Sequence, residues 1–201
     1  TDERRRFAQV SHEYLIEQVQ FSNAISVSDG ENNTELRFNH PVKELVWVCK
    51  KSSVATVHNQ DYLSDSLLGC DSALLQLNGQ DRFKRREGSY FALVQPYQHH
   101  TGRAAQQGAS ATKPPLGGMC VYSFSLKPEE HQPSGTCNFS RVDSAKLYLT
   151  FNTDSASTNT KTDGLTTYTG HISNDVTARV YAVNYNVLRI MSGMGGVSYS
   201  N

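Results

Sequence analysis

Runs in which apolar and polar side chains alternate recur along this chain, and they restrict its fold more than any other feature. In the clearest run, every second residue is apolar: Cys120, Tyr122, Phe124 and Leu126. Because successive side chains of a strand point to opposite faces, this spacing predicts a strand with one buried face. We expect these four side chains to face the core and Ser123 and Ser125 to face away from it.

Further strands are predicted on both sides of that run. Residues 146–151 include Leu147, Leu149 and Phe151, which repeat the same alternation, and residues 176–190 form a long stretch rich in Val and Tyr. Residues 14–27 are rich in β-branched and aromatic residues and end at a turn signal, Ser28-Asp29-Gly30. Each of these stretches is typical of a strand.

Residues 42–49 form a nearly unbroken apolar run that contains the only tryptophan, Trp47. A short run of this kind predicts a strand buried on both faces, so we expect Trp47 to be largely buried. Turn-forming clusters separate the predicted strands: Asn78-Gly79, Pro114-Pro115, Gly117-Gly118, Pro133-Ser134-Gly135 and Asp163-Gly164. Many short strands divided in this way predict a mainly β fold, an antiparallel sandwich or a jelly roll.

The first residues depart from the strand pattern. Phe7 and Val10 lie at helical spacing behind the acidic pair Asp2 and Glu3, which predicts a short N-terminal helix within residues 2–12. Minor helical segments are also expected in the loops.

The size and charge of the chain exclude several classes of protein. With 201 residues we expect a single domain, 1–201, and its 19 basic and 19 acidic residues cancel. A neutral chain is not drawn to nucleic acid as a whole, so no specific nucleic-acid partner is expected. No stretch approaches the roughly 20 apolar residues that span a bilayer, so direct membrane insertion is not expected either. The four cysteines are scattered, which favours packed, reduced thiols: Cys49, Cys70, Cys120 and Cys137.

No motif for catalysis or metal binding is present. None of the seven histidines begins a His-x-Asp or His-x-Glu pair, and the adjacent His99 and His100 would point to opposite faces of a strand. Ser192 lies among glycines but lacks the Gly-x-Ser-x-Gly pattern of a nucleophile elbow. We therefore expect no catalytic residue, no cofactor-binding residue, no metal ligand and no enzymatic activity.

Two weaker motifs have simpler explanations. The basic cluster at residues 82–86 contains Phe83 and superficially resembles a nucleic-acid patch, but Asp81 and Glu87 flank it and favour a solvated turn or subunit salt bridges. Asn32 and Asn138 each begin a glycosylation sequon, and whether they are modified is left open, because no secretion signal opens the chain.

Two long polar stretches, 101–118 and 152–164, are predicted to be loops. In this interpretation the apolar residues of the neighbouring strands are buried in the core. We therefore expect these two loops to make contacts with neighbouring subunits in an assembly.

Four stretches together resemble one protein family: 1–18, 77–101, 122–135 and 184–196. Their most distinctive segments are His12-Glu13-Tyr14-Leu15, Leu77-Asn78-Gly79-Gln80-Asp81-Arg82-Phe83, Gln95-Pro96-Tyr97-Gln98-His99-His100-Thr101 and Asn184-Tyr185-Asn186-Val187-Leu188-Arg189-Ile190. They are similar to motifs of the major capsid proteins of nucleocytoplasmic large DNA viruses, the iridovirus and phycodnavirus group. The resemblance spans almost the whole chain in the same order.

This resemblance implies a structural role. It implies the C-terminal barrel of a double jelly-roll subunit, three copies of which form a pseudo-hexagonal capsomer of an icosahedral shell. The expected partners are the other copies of the homotrimer, neighbouring capsomers and minor capsid proteins. The expected location is the virion capsid, with assembly in the host-cell cytoplasm. The family's first barrel has no counterpart in these residues, and the chain starts at Thr1 without an initiator methionine.

Other functions remain open at this stage. A carbohydrate-binding jelly-roll module could use exposed aromatic side chains such as Tyr97 or Tyr168 as stacking platforms, although aromatic residues more often pack in a core. A cupin-like metalloenzyme would share the fold but needs ligand spacing that is missing here. A minor capsid or penton protein is a close relative of the capsid interpretation.

Overall fold

The structure is a computed structural model that describes residues 2–28, 30–51, 70–101, 119–151, 160–162, 167–169 and 176–199. Its strands are β1 (His12–Phe21), β2 (Ile25–Val27), β3 (Gly30–Glu35), β4 (Pro41–Lys51), β5 (Ser72–Leu77), β6 (Gln80–Asp81), β7 (Arg86–Glu87), β8 (Met119–Ser123), β9 (Cys137–Asn138), β10 (Ala145–Phe151), β11 (Thr160–Thr162), β12 (Thr167–Thr169), β13 (Val176–Met191) and β14 (Met194–Val197). Its helical segments are α1 (Asp2–Gln9), a π-helical segment (Tyr90–Val94), α2 (Gln95–His99) and a 3₁₀ turn (Phe139–Arg141).

Most of these strands form two antiparallel sheets. The first sheet has the order β1-β13-β4-β8, with β2 and β14 also paired to β13 and β9 paired to β4. The second has the order β3-β10-β5-β6, with β7 also paired to β5. The chain therefore crosses several times between the two sheets, as it does in a jelly roll. The predicted fold class is confirmed, including the N-terminal helix and the short helical segments.

The core lies between the two sheets. The first sheet contributes Leu45, Trp47, Cys49, Cys120, Ala178, Val180 and Ala182, and the second contributes Ala73, Leu75, Ala145, Leu147, Leu149 and Phe151. Trp47 is fully buried, as predicted, and its ring centroid is 5.1 Å from that of Phe91 in the π-helical segment. The helical segment thus closes one side of the sandwich.

The predicted register of residues 120–126 is only partly correct. Cys120 is buried, and Tyr122 and Phe124 pack against the core, but Leu126 is 73% exposed while Ser123 and Ser125 are buried. The reason is that β8 ends at Ser123. The chain then bends, and the N–H groups of Phe124 and Ser125 both donate to the carbonyl oxygen of Lys43. The period-two pattern continues in the sequence after the strand has stopped.

Hydrogen bonds make the burial of the two serines possible. The Ser123 hydroxyl donates to the carbonyl oxygen of Ser125 at 2.7 Å, and the Ser125 hydroxyl lies 2.6 Å from that of Ser134. A buried hydroxyl without a partner would be costly, so these bonds offset the burial.

Strand β4 also departs from its prediction. Its core-facing side chains are buried, but Val46 and Val48, on the opposite face, are only half-buried. The apolar run therefore supplies one buried face and one partly open face.

Other predicted elements agree with the structure, with shifted limits. The predicted strand at 14–27 is divided into β1 and β2, and the last strand, β13, extends to Met191. Helix α1 has no buried residue, and Phe7 stacks on the His12 ring with centroids 4.1 Å apart. Of the two predicted loops, residues 102–118, 152–159 and 163–164 lie outside the described residues, whereas 160–162 form strand β11. Among the described helices, none has the length and apolar character needed to cross a bilayer.

Candidate contact surface

The outer face of the first sheet, opposite the core, carries apolar side chains in register. Phe21 pairs with Tyr181, Tyr181 with Val46, and Val46 with Val121. Directly paired residues lie on the same face, so these four side chains form one row across four strands. The adjacent row contains Val19 paired with Val183, and the row on the other side contains Val48 paired with Met119.

We call this surface the outer patch; it consists of Val19, Phe21, Val46, Val48, Met119, Val121, Tyr181 and Val183. Phe21 is 67% exposed, Val19 61% and Met119 53%. Val46, Val48, Tyr181 and Val183 are half-buried, and only Val121 is buried. The outer patch is thus a continuous apolar surface, unlike the solitary exposed apolar side chains that occur on most proteins.

An ionic cluster borders the outer patch on the same face. Lys43 is the extra residue of a β-bulge, because Val183 pairs with Glu44 while Asn184 pairs with Val42. The Lys43 side chain is only 4% exposed, and its Nζ lies 2.8 Å from Glu17 Oε2. It also donates to the carbonyl oxygen of Pro128 at 2.6 Å. The buried ammonium group is therefore paired, as a buried charge must be.

His100 occupies the other half of the ionic cluster, between two carboxylates. Its Nε2 lies 3.1 Å from Glu44 Oε2, and its Nδ1 lies 3.2 Å from Glu129 Oε1. The contact with Glu44 is within ion-pair distance but is not aligned as a hydrogen bond. Glu129 also accepts hydrogen bonds from the backbone N–H and the hydroxyl of Thr101. The cluster thereby fastens residues 100–101 and the turn at 128–129 to β4.

The pKa values of the two carboxyl groups beside His100 are shifted in opposite directions. Burial raises the pKa of Glu44, and the nearby His100 and Lys43 only partly offset this. The hydrogen bonds from Thr101 lower the pKa of Glu129. Every charged group of the cluster contacts a protein partner, as expected of a cluster that stabilises the fold.

The residues of the basic cluster, 82–86, do not form one surface: the aromatic residue lies against the core and the arginines contact other parts of the chain. Phe83 packs into the core, with its ring centroid 5.4 Å from that of Phe91 and 4.7 Å from that of Tyr122. Arg85 pairs with Glu31, and the guanidinium of Arg86 lies 5.0 Å from the centre of the Tyr90 ring. The aromatic residue is therefore not a stacking platform, and two of the arginines already have partners in the chain.

The remaining candidate residues lie apart from one another. Asn32 donates through Nδ2 to the carbonyl oxygen of Ser28, and Asn138 accepts through Oδ1 from the N–H of Ser140. Among the described residues, no group of three or more His, Cys, Asp or Glu side chains could hold a metal ion. Three of the cysteines are buried, and burial raises the pKa of Cys49. Tyr97 is exposed, whereas the side chain of Tyr168 lies outside the described part of the chain.

Comparison with known proteins decides the family. Residues 3–196 match the family described as the large eukaryotic DNA virus major capsid protein. The chain belongs to this family. It is 50% identical to the major capsid protein of Pyramimonas orientalis virus and 42% identical to that of Paramecium bursaria Chlorella virus 1, and the matches cover the whole chain. They cover only 46% and 52% of those two proteins, so the chain spans about half the length of the curated relatives it matches.

A solved structure gives the same result. The quasi-atomic structure of the PBCV-1 virus capsid matches the whole chain with a TM-score of 0.74 and 40% identity, over 54% of the solved chain. The resemblance inferred from the sequence motifs is confirmed. These relatives are viral capsid proteins, and they give no support to the carbohydrate-binding alternative.

The outer patch was not predicted from the sequence, although one signal of it was present. The apolar run at 42–49 covers both faces of β4, which indicates apolar side chains on the outer face of the sheet as well. The prediction of a strand buried on both faces assigned all of these side chains to a core.

Proposed function

We propose that residues 1–201 fold as a single jelly-roll domain that serves as one barrel of a major capsid subunit. Three such subunits form a pseudo-hexagonal capsomer of an icosahedral shell, in contact with neighbouring capsomers and minor capsid proteins. The observation that carries this proposal is the match of the whole chain to about half of a chain in a virus capsid structure, at 40% identity. A second barrel in the same polypeptide accounts for the length difference.

The described geometry supports a structural role without catalysis. The charged residues with shifted pKa values, Glu44 and Glu129, pair with groups of their own chain and fasten a turn to a strand. The two sheets share one continuous core, which makes the barrel a rigid unit suited to repeated contacts. We therefore propose that the protein has no enzymatic activity and needs no cofactor, metal or specific nucleic acid.

The oligomeric state tests this proposal. The whole subunit is purified and its mass is measured by size-exclusion chromatography with light scattering. We expect a particle of three subunits, and electron microscopy of that particle should show a ring with pseudo-sixfold symmetry. A subunit that remains monomeric at the concentrations at which shells form would contradict the trimer. Labelling of infected cells with a specific antibody should place the assembling shells in the cytoplasm.

A further inference from the structure

His100 lies between two carboxylates of the ionic cluster, an arrangement that the proposed function does not require. Its Nε2 is 3.1 Å from Glu44 Oε2, and its Nδ1 is 3.2 Å from Glu129 Oε1. The His100 side chain is 20% exposed and that of Glu44 is 12% exposed, so solvent has little access to the contact between them. Each ring nitrogen therefore faces a carboxylate oxygen.

The two contacts of the ring need more protons than a neutral imidazole carries. A neutral imidazole has one N–H donor and one bare nitrogen, whereas an imidazolium donates from both nitrogens. A carboxylate only accepts, so a bare nitrogen at this distance from a carboxylate oxygen would bring two lone pairs together. Both contacts are attractive only when one further proton is present, either on His100 or on Glu44.

The other titratable groups around the ring favour this further proton. Lys43 Nζ pairs with Glu17 at 2.8 Å and lies 5.5 Å from the centre of the Tyr185 ring, whose hydroxyl stays neutral because burial raises its pKa. Three carboxylates therefore surround one ammonium group, an excess of negative charge that an added proton reduces. Burial acts in the same direction, since it raises the pKa of Glu44. The neighbouring His99 contacts a backbone carbonyl oxygen at 3.0 Å instead.

The contacts of the ring hold the start of a predicted loop. Glu44 lies on β4, whereas Glu129 lies in the turn after β8 and accepts hydrogen bonds from the backbone N–H and the hydroxyl of Thr101. Residues 100–101 lead directly into 102–118, the stretch that is predicted to contact neighbouring subunits. The ionic cluster therefore controls how firmly the base of that stretch is attached to the first sheet.

We propose that the ionic cluster is a proton-dependent clamp, which holds residues 100–101 against β4 while His100 and Glu44 share a proton and releases them as the pH rises. The clamped state binds this proton more tightly than the open state, in which the ring and the carboxylates are solvated and separate. Its stabilisation is therefore present at the lower pH and is lost as the pH rises. Contacts made by residues 102–118 would then depend on pH through their attachment.

Hydrogen exchange at the backbone N–H of Thr101 tests the proposal on the whole subunit, because this group donates to Glu129 at 3.0 Å. Exchange is measured between about pH 5 and 9 by mass spectrometry, and protection is expressed relative to the intrinsic exchange rate at each pH. We expect protection at Thr101 to fall by about tenfold over this range, since hydrogen bonds to charged groups contribute enough for a change of this size. Protection within β10, in the opposite sheet, provides the reference and should stay constant.

Two substitutions remove the shared proton in different ways. Glu44→Gln replaces the carboxylate by an amide of the same shape, whose NH₂ group can donate to a neutral ring, so protection at Thr101 should stay high throughout the pH range. His100→Gln removes the titrating ring, so protection should no longer vary with pH, whatever its level. His131→Gln is the matched control, because His131 is an exposed histidine of the same turn as Glu129 and should leave the wild-type profile unchanged.

Three results would overturn the proposal. Constant protection at Thr101 in the wild type would show that no proton controls the contact. A wild-type profile in Glu44→Gln would show that the proton does not lie between His100 and Glu44. If Glu44→Gln does not fold, His100→Gln still decides the matter, because a wild-type profile in that variant would exclude the ring as the titrating group. The measurement needs only a folded subunit, so its result is independent of whether three subunits associate.

Discussion

At the scale of single residues, Trp47 shows how the core is held together. It is fully buried on β4, pairs in register with Cys120 and packs against Phe91. Its indole N–H finds no hydrogen-bond partner among the described residues. Trp47 therefore stabilises the sandwich through its apolar volume and not through a polar contact.

Replacement of Trp47 tests this role. Trp47→Ala should lower the free energy of unfolding by about 3–5 kcal/mol, because it leaves a large cavity between the sheets. Trp47→Phe keeps much of the ring and removes the unpaired N–H, so it should cost clearly less. Urea denaturation followed by circular dichroism measures both values. Unfolding of Trp47→Ala at the wild-type urea concentration would contradict the assignment.

The pKa of Glu129 makes one contribution to stability depend on pH. Hydrogen bonds from Thr101 lower this pKa below its ordinary value of 4.5, so the folded state favours the carboxylate. The stabilisation is present above pH 4.5 and is lost as the pH falls through the lowered pKa. Glu129→Gln should therefore melt below wild type at pH 7, and the difference should shrink below pH 4.5.

Its neighbour Glu130 provides the control for this experiment. Glu130 pairs with Lys127 at 2.9 Å, and both side chains are more than half exposed, so Glu130→Gln should change the melting temperature little. Melting curves of both variants between pH 3 and 8 would decide the matter. A Glu129→Gln difference that stays constant over this range would show that its carboxylate is not responsible.

At the scale of elements, the turn between β8 and β9 shows that alternation in the sequence does not predict where a strand ends. Alternation predicted a strand through Leu126, but the chain bends after Ser123 because Lys43 accepts two backbone N–H groups there. That acceptor is distant in the sequence. Alternation locates a strand well, but its end depends on partners that only the folded chain brings together.

Gly135 is required in the same turn. Its φ is +141°, and a Cβ at this position would lie 2.8 Å from the carbonyl oxygen of Phe124. Gly135→Ala should therefore destabilise the domain by about 1–3 kcal/mol. Gly196→Ala is the matched control, because a Cβ there meets no atom within 4 Å. Chemical denaturation should separate the two variants, and equal midpoints would contradict the strain.

At the scale of the whole molecule, the fold was predictable and the outer patch was not. Turn signals and alternation are local, and together they were sufficient to predict a sandwich or a jelly roll, of which the resemblance to the capsid family implied the jelly roll. The outer patch depends on which strands become neighbours, since Phe21, Tyr181, Val46 and Val121 meet only through register.

The exposed apolar residues bear on the expectation that loops make most contacts between subunits. The expectation that loops make most subunit contacts assumed that the core used all the apolar residues, and the exposed Phe21, Val19 and Met119 contradict that premise. The loop hypothesis itself stays a prediction, because most of both loops lies outside the described residues.

Deletion of part of residues 102–118 tests the hypothesis that this loop makes contacts between subunits. We expect the shortened subunit to keep the melting temperature of the wild type, because this stretch is rich in Gly, Ala, Gln and Pro and its only large apolar residue is Leu116. It should form trimers and shells poorly, since modest contacts repeated around a closed ring are lost together. Size-exclusion chromatography with light scattering measures the trimer fraction, and Leu126→Ser provides a surface control. Normal trimers and complete capsids from the deletion variant would show that the loop is dispensable.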